Sequence, residues 1–252
     1  MSAAAESSDT APDRADHGDQ PDQPDQPDQP DQPVLPALPR RLSTAESAAE
    51  VLRTQIQQGK LLPGAKLREE QIAAALSISR NTVREAFRLL SHESLVEHRP
   101  HRGVCVRVID AQDIHALYRT RRLVEPLGID ACLADPLALG ALREVVDAGR
   151  RAATSHEWAV VGTVDIDFHR ALMAACRSSH LSAMFERLLA ELRLAFVSMR
   201  HDRGLHEPFL ARNDELVRLM EAGDRRAALT EMADYLDAAE RTLLDALEAA
   251  RT

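Results

Sequence analysis

The sequence predicts a mainly α-helical protein, in which a small three-helix unit with a β-hairpin precedes a larger helical bundle. Two observations support this. Between residues 43 and 108, apolar residues at helical spacing indicate three short helices, and two strand-like runs follow them. After residue 110 the helical spacing continues to the end of the chain without further strand-like runs.

The run from residue 77 to residue 90 predicts a helix with two different faces. Val83, Phe87 and Leu90 recur at helical spacing, and Ser79 is a suitable N-cap before them. The opposite face carries cations and small hydrogen-bonding groups, namely Arg80, Asn81, Thr82 and Arg84. Cations are unfavourable at the positive N-terminal end of a helix, so a densely negative partner such as DNA would relieve the conflict. A recognition helix also meets base edges with its first residues.

The neighbouring segments complete a winged helix-turn-helix. Residues 69–76 predict a short helix, and Ser77 and Ile78 form a tight turn between it and the next helix. Residues 95–99 and 103–108 are strand-like, and the turn between them is basic. This predicts a β-hairpin wing with a basic tip.

The first helix of this unit is expected over residues 43–59. Ser43 or Thr44 provides its N-cap, and Gly59 ends it. We place the unit at residues 40–108.

The charge distribution favours nucleic acid as the partner of this unit. The 252 residues carry a net charge of −9, but residues 40–107 carry +5. Residues 1–39 and 108–252 carry −8 and −6. The only basic segment is therefore the one with the helix-turn-helix, as a DNA-binding module requires.

Residues 43–108 resemble the winged-helix DNA-binding domain of the GntR family of bacterial transcription regulators. The matching residues occur in the family's order: Gly59, Leu62-Pro63-Gly64, Leu67, Glu69, Ile72-Ala73, Leu76, Ile78-Ser79-Arg80-Asn81-Thr82-Val83-Arg84-Glu85-Ala86, Leu89-Leu90, Leu95-Val96 and Gly103. The resemblance implies that phosphates or base edges are contacted by Ser79, Arg80, Asn81, Thr82 and Arg84. It also implies that Arg102 and Gly103, at the wing tip, enter the minor groove.

One residue departs from the family pattern. Many relatives have Arg where this chain has Glu70, and a carboxylate cannot hold phosphate. We expect Arg68 or Lys66 to take over that contact.

Residues 109–252 predict an all-α antiparallel bundle of six or seven helices, because short breaks separate long helical runs. The six expected helices cover residues 111–134, 137–153, 156–177, 180–202, 207–222 and 225–250. This region resembles the FCD-type domain of the FadR subfamily, through Arg121-Arg122-Leu123-Val124-Glu125, Asp165-Ile166-Asp167-Phe168-His169 and Ala222-Gly223-Asp224. The resemblance implies an effector-binding and dimerisation domain, and six helices would favour its VanR-like branch.

Asp165 and His169 are candidate metal ligands. They lie four residues apart and so share one helix face, and both types bind zinc-like ions. A surface ion pair or a capped core histidine would give the same spacing. In many relatives two further histidines complete the site, but the corresponding positions here hold Asn213 and Tyr235, which are poorer ligands. A divalent metal at Asp165 and His169 therefore stays one alternative.

The other alternative is a polar pocket without metal, lined by Arg121, Asp165, His169, Asn213 and Tyr235. The family's effectors are commonly small carboxylic acids or their thioesters, and Arg121 is the candidate partner for the anion. An i,i+4 pair between Arg121 and Glu125 on a solvated face is the competing interpretation. His201 and His206 are expected to be exposed.

These features predict a transcription regulator that acts as a homodimer on a pseudo-palindromic operator, as a repressor controlled by a small carboxylate-type effector. A dimer whose helical domain binds no effector is the alternative. A metal-assisted hydrolase built on Asp165 and His169 is disfavoured, because no general base or nucleophile motif accompanies them.

The remaining sequence features bear on location. No apolar run reaches the ~18 residues of a membrane span, and no signal-peptide pattern starts the chain. The three cysteines are scattered, so we expect a reducing cytoplasm. The Asp-Gln-Pro repeats of residues 22–33 make residues 1–39 an expected disordered acidic tail. That tail is either an inert leader or a competitor of DNA for the basic face.

Overall fold

The computed structural model describes residues 42–198 and 203–249, and the predicted mainly α fold is confirmed. The described part contains nine helices and one two-stranded antiparallel sheet: α1 Thr44–Gln57, α2 Glu69–Leu76, α3 Arg80–His92, β1 Val96–Arg99, β2 Gly103–Val106, α4 Ala111–Ala134, α5 Pro136–Thr154, α6 Trp158–Ala174, α7 Ser179–Ser198, α8 Arg203–Glu221 and α9 Arg225–Ala249. The predicted tail lies outside the described residues. The predicted domain boundaries stay predictions.

Helix α1 has the ends that the sequence predicts. The Ser43 hydroxyl accepts a hydrogen bond from the backbone N–H of Glu46, and the Glu46 carboxylate accepts one from the N–H of Ser43. This reciprocal pair satisfies two of the N–H groups left free at a helix start. At the other end Gly59 adopts a φ of 68°, which glycine tolerates without a steric penalty.

Helices α2 and α3 form the helix-turn-helix. Ser77 turns the chain with a left-handed φ of 54°, and the Ser79 hydroxyl accepts from the N–H of Thr82 at 3.1 Å, as its predicted N-cap role requires. The buried face of α3 consists of Val83, Ala86, Phe87 and Leu90. This apolar face packs against α1 and α2, so the cationic face of α3 points outward.

The wing follows directly. Strands β1 and β2 pair antiparallel, with Val96 opposite Val106 and Arg99 opposite Gly103. They are one or two residues shorter than the strand-like runs of the sequence. At the tip, His101 and Gly103 have positive φ values of 61° and 79°, which close the turn and leave Arg102 exposed.

The helical domain contains six helices within the described residues, the smaller of the two predicted numbers. Helix α4 lies against α9, α5 against α6 and α8, and α6 against α7 and α8. The Asp110 carboxylate caps α4 by accepting from the N–H of Asp113. Four helices, α4, α6, α8 and α9, therefore present side chains to one shared interior.

One expectation in this domain is wrong. His206 is buried rather than exposed, since α8 already begins at Arg203 and its first turn packs on α6. A Cβ on Gly162 would lie 2.6 Å from the His206 ring, so the ring occupies the space that this glycine leaves free. His201 lies outside the described residues.

Candidate functional site

The first candidate site is the exposed face of α3 and the wing. Of the residues predicted to contact DNA, the exposed ones are Arg68, Ser79, Arg80, Asn81, Arg84 and Arg102, and the half-buried ones are Thr82 and Gly103. The Ser79 and Thr82 hydroxyls lie 2.8 Å apart, so the α3 N-terminus presents two hydroxyls between the arginines. These are groups that bind phosphate oxygens and base edges.

Two carboxylates at the start of α2 face α3. Glu70 lies 2.9 Å from Arg80, and Glu69 lies 2.9 Å from Arg84. Both acids also favour the positive end of their own helix. Exposed ion pairs of this kind stabilise a protein by only about 0–1 kcal/mol, so a phosphate can displace the carboxylates. The sequence showed that Glu70 cannot hold phosphate, but not that it holds Arg80.

A groove joins the start of α2 to the wing. Arg68 and Arg102, which are 34 positions apart in the sequence, both line it, together with Lys66, His98 and His101. Sequence reasoning did not select His98 and His101, although the basic turn indicated a cationic tip. Arg68 and Lys66 both line this groove, and their expected contact with phosphate in place of Glu70 stays a prediction.

The second candidate site is a buried chain of hydrogen bonds inside the helical domain. Its side chains come from α4, α6, α8 and α9, and they are all at least nine-tenths buried: Arg121, Glu125, Asp165, His169, Asn213 and Tyr235. The structure therefore brings together all five residues that were predicted to line a pocket. Glu125 is the sixth member, and it was considered only as a partner of Arg121 on a solvated face.

The contacts run continuously from one end of this chain to the other. Arg121 Nε donates to Glu125 Oε1 at 2.5 Å, and Glu125 Oε2 lies 2.7 Å from His169 Nδ1. His169 Nε2 lies 3.0 Å from the Tyr235 hydroxyl. That hydroxyl donates to Asp165 Oδ1 at 2.9 Å, and Asn213 Nδ2 donates to the same oxygen at 2.8 Å.

The imidazole of His169 is the centre of this chain. Its two ring nitrogens contact the Glu125 carboxylate and the Tyr235 hydroxyl, so both are engaged in hydrogen bonds. The Tyr235 hydroxyl extends the chain by donating to Asp165. At the other end, Arg121 and Glu125 form a fully buried ion pair.

The surroundings of the cluster shift several pKa values. Burial opposes ionisation of Glu125, but Arg121 and His169 outweigh it and lower the Glu125 pKa to about 2. Burial and the charge of Asp165 raise the pKa of Tyr235 well above its ordinary value. Burial would lower the pKa of Arg121, but Glu125 raises it above its ordinary value. The competing interpretation, a pair between Arg121 and Glu125 on a solvated face, is right about the pairing and wrong about the exposure, because both side chains are buried.

The donor set does not fit a metal ion. Both nitrogens of His169 are engaged in hydrogen bonds with Glu125 and Tyr235, and Asp165 Oδ1 already accepts from two donors. Across residues 42–198 and 203–249, no group of three or more His, Cys, Asp or Glu side chains is arranged to hold a metal. A structural zinc site uses four ligands. The predicted pair Asp165 and His169 supplies only two residues, and three of their four binding atoms already make hydrogen bonds.

A small cavity adjoins the cluster. It has a volume of ≈ 10 Å³, enough for about one water, and the rings of Phe196 and Phe209 form part of its wall. Arg121 Nη2 and Asn213 Oδ1 are buried without a hydrogen-bond partner in the described part of the chain. Buried polar atoms are normally paired, and of these two residues Arg121 is the one that lines the cavity.

Two segments of the chain match the models of known protein families. The family model described as bacterial regulatory proteins, gntR family, matches residues 44–106, and that of the FCD domain matches residues 116–238.

No helix of the described residues is long and apolar enough to cross a membrane.

Individual relatives agree with this assignment. An uncharacterized HTH-type transcriptional regulator in an unstable DNA locus of Streptomyces ambofaciens is 30% identical over 203 residues, which cover 79% of this chain and 83% of the relative. A probable D-xylose utilization operon transcriptional repressor of Paenarthrobacter nicotinovorans is 29% identical and covers 75% of this chain and 83% of its own length. The crystal structure of a transcriptional regulator GntR from Rhodococcus sp. RHA1 shares 39% identity at a TM-score of 0.74, and the match covers 80% of this chain and 97% of that one.

Proposed function

The chain belongs to the gntR family of bacterial regulatory proteins and carries an FCD domain, and on this basis we propose how its two sites act together. The family membership makes it a DNA-binding transcription regulator rather than an enzyme. Our proposal is that a homodimer represses transcription from a pseudo-palindromic operator in the cytoplasm, and that a small organic acid bound in the FCD domain weakens operator binding.

One observation carries the DNA part of the proposal. Arg80 and Arg84 project from the first turns of α3, and both are about three-fifths exposed. The apolar stripe of the same helix is buried, so no other face of α3 can meet DNA. Arg binds guanine or phosphate with two parallel hydrogen bonds, and its contacts fix both register and sequence. We assign base or phosphate contacts to both arginines.

The dimer is proposed to form through the outer face of α4. Leu123 and Leu127 lie one turn apart there and are 73% and 52% exposed. Two large apolar side chains on one helix face are more easily explained by a second copy of the chain than by solvent. A two-fold dimer also places two recognition helices one DNA turn, or about 34 Å, apart.

The effector is proposed to be a small carboxylate that contacts Arg121 and Asn213. Arg121 Nη2 can donate to a carboxylate oxygen, and Asn213 Oδ1 can accept from a hydroxyl of the same molecule. The ≈ 10 Å³ cavity is too small for any organic acid, so binding must move Phe196 or Phe209. A ligand that requires such a rearrangement prefers one state of the domain, and this preference is the source of its control over DNA binding.

No step of this proposal uses a metal ion, because the cluster offers two candidate ligands rather than four and three of their four binding atoms make hydrogen bonds. The closed cavity favours one second candidate function, in which the helical domain only dimerises and the regulator responds to no small molecule. The test is operator binding in the presence of a panel of small carboxylates. Release by one of them in the wild type, but not in Arg121→Lys, supports the effector. Unchanged binding with every acid supports the second candidate.

A further inference from the structure

A larger cavity lies where the winged unit meets the helical domain. Its volume is ≈ 450 Å³, within the range of small-molecule sites. Arg53, Gln57 and Glu93 line it from α1 and the end of α3, while α6 and α7 line the other side. This interdomain cleft shares no side chain with the buried cluster around His169.

The acids of the interdomain cleft already have partners. Arg53 forms two hydrogen bonds with Glu93, at 2.7 and 2.6 Å. Arg170 donates to Glu186 at 2.7 Å and also pairs with Asp167. All three carboxylates that line the cleft are therefore already paired, one with Arg53 and two with Arg170.

Two further arginines of the cleft are left without a carboxylate in the described part of the chain. Arg187 donates to the ring nitrogen of His92 at 2.9 Å. Arg193 donates through Nη2 to the Thr163 hydroxyl at 2.7 Å, and its Nη1 is buried without a hydrogen-bond partner among the residues that the structure describes. A buried guanidinium nitrogen of this kind is costly to leave unpaired, so its position indicates a missing acceptor.

The electrostatics of Arg193 agree with the geometry. Burial lowers its pKa below the ordinary value, the charge of Asp167 opposes this shift, and the smaller effect of the neighbouring Arg170 adds to it. The other arginines of the cleft that have carboxylate partners, Arg53 and Arg170, show the opposite shift. Among the described residues, Arg193 thus has a carboxylate nearby but forms no ion pair of its own.

We infer that the interdomain cleft is a binding site for a small oxyanion, a carboxylate or phosphate group, held by Arg193 with Arg187 beside it. The anion supplies the acceptor for Arg193 Nη1 and the counter-charge for the two unpaired arginines. The cleft has room for a metabolite of several carbon atoms, and its lining is built from both structural units. An occupied cleft therefore fixes how the winged unit is held against α6 and α7. The regulatory meaning of this last step rests on the proposed function, whereas the binding itself does not.

The inference is tested by thermal unfolding of the full chain in phosphate, in succinate and in chloride of equal ionic strength. We expect phosphate or succinate to raise the Tm of the wild type by about 2–4 °C more than chloride does. A rise with phosphate alone or with succinate alone identifies the group that the cleft selects. No rise with either anion contradicts the inference.

Two variants show whether the bound anion lies in the interdomain cleft. Arg193→Gln removes the unpaired charge, and Ala190→Glu places a carboxylate one helical turn away on the cleft wall, where it can pair with Arg193 internally. Both variants should lose the extra rise in Tm. The exposed Arg218→Gln on α8 is the control and should keep it. An equal rise in Arg193→Gln and wild type would mean that the anion binds elsewhere, for instance at Arg121, and would overturn the inference.

Operator binding is measured separately in buffer with chloride only. Intact operator binding without any anion-specific rise in Tm overturns the cleft inference and leaves the proposed function standing. Loss of operator binding together with a retained rise in Tm overturns the proposed function and leaves the cleft inference standing.

Discussion

The phenol oxygen of Tyr235 lies 3.0 Å from Nε2 of His169, in the direction in which that imidazole would otherwise offer a lone pair to a metal ion. The same hydroxyl donates to Asp165 at 2.9 Å. One tyrosine thus connects the two candidate ligands and engages both. Helices α6 and α9 are held together here by hydrogen bonds that need no ion.

Replacing Tyr235 with Phe should destabilise the protein by about 1–3 kcal/mol, since it leaves His169 Nε2 and Asp165 Oδ1 each short of one partner in a buried site. Chemical denaturation measures the change. Tyr118→Phe is the matched control, because Tyr118 is equally buried but its hydroxyl makes no hydrogen bond in the described part of the chain. Equal losses in the two variants would contradict the role assigned to the Tyr235 hydroxyl.

The Glu125 carboxylate makes stability depend on pH. Its pKa is about 2 in the folded protein against 4.5 for the free group, so the folded state binds its proton less tightly than the unfolded state. Its contribution is therefore complete above about pH 5 and is lost progressively as the pH falls through 4.5 towards 2. The size is about 3 kcal/mol. Denaturation at a series of pH values should show a steeper loss in the wild type than in Glu125→Gln, and parallel curves would refute this assignment.

Arg121 shows why the buried cluster was only partly predictable. The spacing of Arg121 and Glu125 gave their pairing correctly, because i,i+4 residues share a helix face whatever surrounds them. Their burial depends on how α4 packs against α6 and α9, which the spacing along one helix does not determine. The same limit applies to Asp165 and His169, whose common face was predictable but whose partners from other helices were not.

The DNA-binding unit was predictable in more detail, because local signals determine it. Ser43, Ser79 and Gly59 mark helix ends through contacts with residues a few positions away, and those contacts are present. The pairing of Glu70 with Arg80 crosses the turn between two helices and was not predicted. Whether a carboxylate meets an arginine there depends on the angle between α2 and α3.

Replacing Glu70 with Gln should strengthen binding to DNA of any sequence at low salt, by about threefold to tenfold. The substitution removes a negative charge that lies 2.9 Å from Arg80 on the face that meets phosphate. Fluorescence anisotropy with random-sequence DNA gives the affinity. Glu215→Gln on α8 removes the same charge far from this face and should change nothing. Weaker or unchanged binding by Glu70→Gln would show that the acid positions Arg80 productively.

Replacing Leu123 with Glu should convert the dimer into a monomer, because it places a charge in the apolar face proposed to be shared by two copies. Light scattering coupled to size exclusion measures the mass directly. Leu137→Glu is the control, since Leu137 is also a highly exposed leucine but lies at the start of α5. A dimer that survives Leu123→Glu would place the interface on another surface.

The central claim is that α3 reads an operator through Arg80 and Arg84. The most direct test is selection of binding sites from a random DNA pool, followed by affinity measurements on the selected sequence with Arg80→Ala, Arg84→Ala and the control Arg88→Ala from the same helix. We predict a two-fold symmetric site with half-sites about one DNA turn apart, lost binding in the first two variants with unchanged helix content, and near-wild-type binding in the third. Selection of no common sequence, or full binding by both Arg80→Ala and Arg84→Ala, would contradict the account.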